Sequence, residues 1–346
     1  MGVGVAKYRL EADVQPTLRQ FMRKSALLYF HSPCFDGIIS AVIASDFLEV
    51  HCHWMFERFC AVDYSERDNW LSHSLGERCA VVDFIYHPQA TFWADHHSTT
   101  FLSADAKRDF TRRRQGRTLF YNDRLGSCST LLWQALKAGF SYRNEAYSEM
   151  VEWADRIDSA RYSSVEEAVL GETPALRIRA SLGINEEPGF FEGLIRALRS
   201  KTLDEVANLP QVDIRAKHVR SQIEAGLGRL KNSIWVDHNG IAVFDVDGSG
   251  VAISRYAPYL FFPDARYSVG IVRSNGATKI TAMRNPWRDF PSVELGAIFE
   301  RFGGGGHKRV GSVLIPDTVD ARTTLHKIVD EIRCEDAATQ LQESRA

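Results

Sequence analysis

Histidines and aspartates follow three short apolar runs of this 346-residue sequence. His31 follows the run ALLYF, and Asp83 closes the run CAVVD. Asp95 closes TFWAD, and His96 and His97 come next. Such runs are typical of buried parallel strands, whose carboxyl ends gather ligands, so we expect these side chains to converge. Carboxylates with imidazoles suit Mn²⁺, Fe²⁺, Co²⁺ or Zn²⁺, and a shared carboxylate can hold two ions for phosphoryl chemistry. The sequence therefore predicts a divalent-metal site.

Alternating apolar runs and helical patterns predict the elements that position these residues. Apolar spacing over 38–48 predicts a helix packed on a sheet, and helical patterns return at 129–138 and 145–157. His51 and His53 are predicted to lie on a surface strand and to bind no metal. The alternation predicts a doubly wound, mainly parallel α/β domain, followed by a smaller α/β domain. The expected divisions are 1–202 for the metal-binding domain, 203–232 for a helical connector and 233–346 for the second domain.

Composition and charge limit the classes of partner. The formal net charge is −2, so recognition of phosphate must come from a local site rather than from a basic surface. No stretch nears the roughly 18 consecutive apolar residues of a membrane span. The six cysteines include no C-x-x-C pair, and the first residues lack the apolar core of a signal peptide. These features predict a cytoplasmic protein that does not act at a membrane.

Five segments of the sequence together resemble the motifs of one enzyme family. HSPCFDG, VVDF, ADHH and WADRID stand in the order of the four amino-terminal motifs of the DHH phosphoesterases. The later GGGGH resembles the signature of that family's second, substrate-binding domain. The resemblance implies a doubly wound domain that holds two divalent ions, usually Mn²⁺. It also implies that the second domain closes over a cleft to grip a nucleotide or another phosphorylated substrate.

The resemblance implies a metal-binding role for residues of the first motifs. His31 would bind the first ion, and Asp36 and His96 the second. Asp83 would bridge the two ions and would also serve as a catalytic group.

The same resemblance implies roles near the reacting phosphate. Asp95 would orient its neighbours, and His97 would contact the phosphate. Asp155 in WADRID resembles the ligand of the fourth motif, and Asp158 in the same segment competes with it for that role. The segment GSCST (126–130) either belongs to the same site or caps a helix.

The first motif departs from the family pattern at Cys34. The family places an aspartate at this position, so the substitution is expected to weaken the first ion's site. A thiolate would favour Zn²⁺ or Fe²⁺ over Mn²⁺. Alternatively, Cys34 is not a ligand and fills the turn, with water or His87 completing the coordination.

The second domain carries the residues that the resemblance assigns to substrate. Arg284 matches the family position that grips a substrate phosphate, where a planar guanidinium gives two hydrogen bonds. Gly304, Gly305 and Gly306 allow backbone N–H groups to approach an anion, and His307 would add an imidazole. A glycine run without companion motifs is typical of a flexible turn.

These residues together predict metal-assisted hydrolysis of phosphodiester bonds by water. A short reach from the ions to the second domain favours short oligonucleotides, dinucleotides or other small phosphate substrates. The sequence has no extra nucleic-acid-binding module, which disfavours long nucleic acid, and an oligomer is compatible with these features. Two alternatives remain at this point. One is a nucleotide-binding regulatory protein with an impaired metal site, and the other is a phosphatase of a small non-nucleotide compound such as pyrophosphate.

Overall fold

A computed structural model of the chain describes residues 24–183, 189–274 and 276–343. Compactness divides the chain into two units. Within the described ranges, the first comprises 24–32, 36–147 and 189–199, and the second comprises 33–35, 148–183, 200–274 and 276–343. The expected domain boundaries at residues 202 and 232 stay a prediction.

Strands and helices alternate through the described ranges. The strands are β1 (Lys24–His31), β2 (Trp54–Val62), β3 (Cys79–Val82), β4 (Phe92–Asp95), β5 (Leu119–Tyr121), β6 (Ile234–Val236), β7 (Ile241–Asp247), β8 (Tyr267–Ser274), β9 (Ala277–Arg284), β10 (Gly305–His307) and β11 (Val310–Ile315). The helices are α1 (Phe35–Cys52), α2 (Ala104–Arg113), α3 (Cys128–Phe140), α4 (Ser148–Asp158), α5 (Val165–Leu170), α6 (Pro174–Ser181), α7 (Phe190–Leu198), α8 (Leu203–Ala207), α9 (Pro210–Lys231), α10 (Pro258–Phe261), α11 (Leu295–Glu300) and α12 (Ala321–Glu343). None of these helices, within the described ranges, combines the length and apolar character that a membrane crossing requires.

The first unit is built on a parallel sheet with the strand order β2-β1-β3-β4-β5. The predicted doubly wound α/β fold is therefore confirmed. From β1 the sheet grows on one side through β2 and on the other through β3. This reversal of strand order is a topological switch point, where open α/β sheets bind ligands beyond the carboxyl ends of their strands. His31 ends β1, and Asp83 follows β3 directly.

Helix α1 begins immediately after β1 because Gly37 permits a close backbone approach. A side chain at this position would overlap the carbonyl group of His31. The helix continues to Cys52, and its residues from 38 to 44 are fully buried around more than one face. The predicted surface strand at His51 and His53 is wrong. His51 lies in the last turn of α1, and His53 adopts a left-handed φ of 53° in the turn that leads to β2.

The second unit contains a sheet with the order β10-β11-β9-β8-β7-β6. Only its β7–β8 pair is parallel among the described strands. Apolar residues of α11 and α12, including Phe299 and Ile328, are buried against one face of this sheet. Leu230 of α9 is buried with Phe244 of β7 in a separate cluster. A second α/β layer therefore accompanies the parallel domain, as the sequence predicts.

Candidate metal centre

The carboxylate of Asp83 lies among three imidazoles at the carboxyl edge of the first unit's sheet. Its Oδ2 lies 3.3 Å from Nδ1 of His31. Its Oδ1 lies 3.6 Å from Nε2 of His96 and 3.8 Å from Nδ1 of His97. The side chain is only 1% exposed. A carboxylate with each oxygen facing a different histidine is well placed to bridge two cations.

The backbone around Asp83 is held in an uncommon conformation. Asp83 has a φ of +56°, in the left-handed region that aspartate and asparagine tolerate better than most residues. Two indole groups fix the segment that follows. Nε1 of Trp93 donates to the carbonyl of Phe84, and Nε1 of Trp70 donates to the carbonyl of Ile85, each at 2.9 Å. These hydrogen bonds keep the Asp83 carboxylate pointed into the site.

Asp95 and a backbone carbonyl orient the two consecutive histidines. Oδ1 of Asp95 accepts hydrogen bonds from Nδ1 of His97 and from the backbone N–H of His96, both at 2.8 Å. Nδ1 of His96 lies 3.2 Å from the carbonyl of Leu125. A carbonyl only accepts, so Nδ1 of His96 carries the proton and Nε2 presents its lone pair. That Nε2 faces Asp83 and lies 3.9 Å from Oδ2 of Asp36.

Asp36 is fixed by the amino terminus of α3. Its oxygens accept hydrogen bonds from the backbone N–H groups of Cys128 at 2.7 Å and Ser129 at 3.0 Å. Ser127 caps the same helix by accepting from the N–H of Thr130. GSCST is therefore a helix cap, which is one of its two predicted roles. The positive end of the helix dipole also stabilises the buried Asp36 carboxylate.

The donor set fits a divalent cation. Asp36, Asp83 and Asp95 are each at most 1% exposed, and buried carboxylates are costly without a nearby cation. Ligand atoms of Asp83, Asp95, His96 and His97 lie within 4.8 Å of one another. Burial, reinforced by these carboxylates, raises the pKa of the Cys128 thiol, which donates to a backbone carbonyl. Cys128 is thus a neutral thiol, which is not suited to bind the metal.

Two acidic residues of α4 are placed differently in the second unit. Asp155 forms an ion pair with Arg161 and is one-fifth exposed. Asp158 lines a cavity of this unit together with Cys34. The choice between the two acids stays a prediction.

His87 does not join the metal-ligating groups of the described chain. Its ring is buried and packs edge-on against Trp70, with 5.4 Å between the ring centroids. Its Nδ1 accepts a hydrogen bond from the backbone N–H of Gln89 at 3.1 Å. Burial lowers the pKa of His87, which keeps the ring neutral. The predicted alternative in which His87 completes the coordination therefore lacks support.

Arg284 ends β9, as the sequence predicts, but its guanidinium is already occupied. Its Nη1 donates to the carbonyl of Asn285 at 2.9 Å, and its Nη2 donates to the carbonyl of Phe290 at 2.8 Å. The group also stacks on the Phe290 ring at 4.1 Å, and burial lowers its pKa. These contacts stabilise the turn between Asn285 and Phe290. They do not support the predicted grip on a substrate phosphate.

The glycine run forms the edge strand β10 and the turn before it. A side chain at Gly304 would overlap the carbonyl of Ser312, and one at Gly306 would overlap the carbonyl of Val310. Close approach to β11 therefore explains these two glycines. No atom lies within 4 Å of a side chain placed at Gly305, so this position stays open to a ligand. The side chain of His307 lies outside the described residues.

Tyr64 is a residue near the centre that the sequence analysis misses. It follows β2, and its ring lies edge-on to that of His31 with 5.0 Å between centroids. Its ring also lies 6.2 Å from that of His97. An aromatic residue two positions after the apolar run FCAV was the available signal. The Tyr64 ring therefore adds apolar surface beside the imidazoles of His31 and His97.

No family model matches the chain, and no curated protein matches it. Solved structures do match. PggH from Vibrio cholerae, a pGpG-specific phosphodiesterase, is 18% identical over 90% of this chain and 99% of its own, with a TM-score of 0.68. RecJ from Thermus thermophilus, solved with Mn²⁺, is 13% identical over 93% of this chain and 53% of its own, with a TM-score of 0.56. An exopolyphosphatase-related protein from Bacteroides fragilis is 12% identical over 94% of this chain and 97% of its own, with a TM-score of 0.50. This chain shares their fold.

Proposed function

We propose that this chain, which has the fold of the DHH phosphoesterases, is a metal-dependent phosphodiesterase of short oligonucleotides or linear dinucleotides. The observation that carries the proposal is the convergence of Asp83 with His31, His96 and His97 at the topological switch point. Its fold is that of a pGpG-specific phosphodiesterase and of RecJ, an exonuclease that has been solved with manganese.

The residues that would hold divalent cations are those with oriented donor atoms. His31, Asp36, Asp83 and His96 fill this role in the first unit, with Asp158 or Asp155 as a further candidate. When bound, such cations lower the pKa of a water nucleophile and stabilise negative charge on phosphate. Mn²⁺ is the proposed ion, at two sites.

His97 is suited to a different task. Oδ1 of Asp95 accepts a hydrogen bond from Nδ1 of His97 at 2.8 Å, and this bond fixes the orientation of the ring. A ring held in this way can contact a phosphate oxygen through Nε2. We therefore assign His97 to stabilising charge on the reacting phosphate.

A substrate panel tests the proposed function. The purified protein should cleave pGpG and a short RNA in the presence of Mn²⁺ and should cleave a long single strand more slowly. Pyrophosphate should remain intact. Hydrolysis of pyrophosphate without cleavage of pGpG would identify a small-molecule phosphatase instead. Binding of pGpG without cleavage in Mn²⁺, Mg²⁺, Co²⁺ or Zn²⁺ would identify a nucleotide-binding regulatory protein.

Cys34 offers a separate prediction about the first ion. If Cys34 occupies the place of an acidic ligand, Cys34→Asp should tighten Mn²⁺ binding by about tenfold, because it adds a hard anionic oxygen. The turnover rate should rise with metal occupancy. Metal content and turnover of the wild type, Cys34→Asp and Cys34→Ser check this, and the serine variant should not gain Mn²⁺. A loss of Zn²⁺ or Fe²⁺ from both variants would instead show that Cys34 is a thiolate ligand.

A further inference from the structure

A cavity of about 540 Å³ lies within the second unit. Its volume falls in the range of small-molecule sites. Helices α5, α6 and α9 contribute apolar side chains to its wall, among them Val169, Ala180 and Ile223. The groups on its wall that carry charge or can form polar bonds include Cys34, Asp158, Tyr162, Arg179, Arg255 and Tyr256.

Two arginines on this wall have no acidic partner in the described ranges. Helix α6 provides an internal comparison, because Arg177 donates to Asp213 at 2.6 Å while Arg179, two residues later, makes no such contact. The guanidinium of Arg255 lies over the Tyr256 ring, 5.2 Å from its centroid, and also lacks an acid. Asp158 shares this wall, but neither arginine forms an ion pair with an acid of the described residues. Guanidinium groups that line a cavity in this way are suited to bind an anion, above all a phosphate.

Two tyrosines, Tyr162 and Tyr256, line the same cavity as the two arginines. Burial raises the pKa of Tyr162 to about 12, and the charges of Arg179 and Arg255 both oppose this rise. Both guanidinium groups and this phenol line the same cavity, as does the Asp158 carboxylate. Tyr256 packs edge-on against Tyr162, with 5.5 Å between centroids. Tyr256 is only 1% exposed, and its hydroxyl has no hydrogen-bond partner among the described residues.

We propose that this cavity binds one nucleotide of the substrate, an inference that rests on the proposed phosphodiesterase function. Arg179 and Arg255 bind its phosphate, and the apolar wall receives its base and ribose. A small shift of Tyr256 lets its hydroxyl bond to a polar edge of the base, which removes the cost of an unpaired buried hydroxyl. Asp158, one of the two candidates for the fourth-motif ligand, lies on the same wall, and this favours a substrate over a regulatory ligand.

A second cavity adjoins the first and indicates how long a substrate the second unit can hold. This second cavity has a volume of about 290 Å³, is lined by Lys279 and Gly306, and shares Ser254 and Arg255 with the first. Arg255 is thus accessible from both cavities and can hold a phosphate that joins two nucleotides. Two small adjoining cavities suit a dinucleotide better than a long strand.

Binding of a nucleoside 5′-monophosphate tests the subsite separately from catalysis, because this ligand has no phosphodiester bond to cleave. We expect GMP to bind the full-length protein, with and without chelator, and guanosine to bind more weakly. Calorimetry should show that Arg179→Gln and Arg255→Gln each weaken GMP binding by about tenfold to a hundredfold, since each loses a charge-assisted contact. Arg179→Lys should recover part of the loss, and Tyr256→Phe should reduce the preference for GMP over other monophosphates.

Arg177→Gln is the matched control, because Arg177 lies on the same helix but outside the cavity. It should bind GMP like the wild type. The subsite proposal is overturned if the wild type does not bind GMP, or if Arg179→Gln and Arg255→Gln bind it as the wild type does. It is also overturned if the control weakens binding equally. GMP binding that depends on both arginines in a protein that cleaves no phosphodiester would refute the proposed function and leave the nucleotide site standing.

Discussion

Replacing Asp83 with asparagine should lower the turnover of pGpG at least about a thousandfold and remove most tightly bound Mn²⁺. The carboxylate faces His31 through one oxygen and His96 and His97 through the other, so its charge would serve two cations at once. Asparagine preserves the shape of the side chain and tolerates the left-handed backbone at this position. The loss can therefore be assigned to the missing charge rather than to a refolded turn.

The measurements are metal content after gel filtration, steady-state turnover and the thermal midpoint. Asp109→Asn is a suitable control because Asp109 lies in the same unit and is also hydrogen-bonded, but it pairs with Tyr86 and Arg112 away from the centre. The control should keep its metal and its turnover. An Asp83→Asn protein with normal metal content and full activity would show that Asp83 bridges no ions.

The sequence predicts the centre well where strand ends determine its position. His31, Asp83 and Asp95 each end or follow an apolar run, and a parallel sheet brings such ends to one edge whatever the loops between them do. The role of Asp36 depends on tertiary structure. Its carboxylate accepts hydrogen bonds from Cys128 and Ser129, about ninety residues away, and no local pattern encodes that contact.

The features that the sequence did not predict depend on side-chain contacts and on where strands and helices begin and end. Hydrophobic periodicity describes neither. Strand β2 carries Glu57 and Arg58 within an edge strand, so its apolar pattern is interrupted. The position of Tyr64 follows from β2 and was therefore missed with it. From Ile38 onward, α1 contains no glycine or proline before Cys52, which is why the helix includes His51. Motif resemblance likewise places Arg284 at the end of a strand but says nothing about which acceptors surround its guanidinium.

Arg284→Met should therefore act mainly on stability. The substitution keeps most of the side-chain volume but leaves the carbonyls of Asn285 and Phe290 without their donors. Two lost hydrogen bonds to a charged donor are worth about 2–4 kcal/mol, and in a unit of this size that lowers the thermal midpoint by about 5–10 °C. Below the transition, the KM for pGpG should stay within about twofold of the wild type, because the guanidinium already has its partners.

Arg288→Met separates this effect from a general loss of positive charge. Arg288 lies four residues later and pairs with Asp264, whose side chain is fully exposed, so its removal should change the midpoint by no more than about 2 °C. Thermal unfolding and saturation kinetics of both variants decide between the two roles of Arg284. If Arg284→Met unfolds like the wild type but raises the KM tenfold or more, the guanidinium must leave its carbonyl partners to hold the substrate phosphate. The contacts with Asn285 and Phe290 would then belong to a ligand-free state, and the role implied by family resemblance would be the correct one.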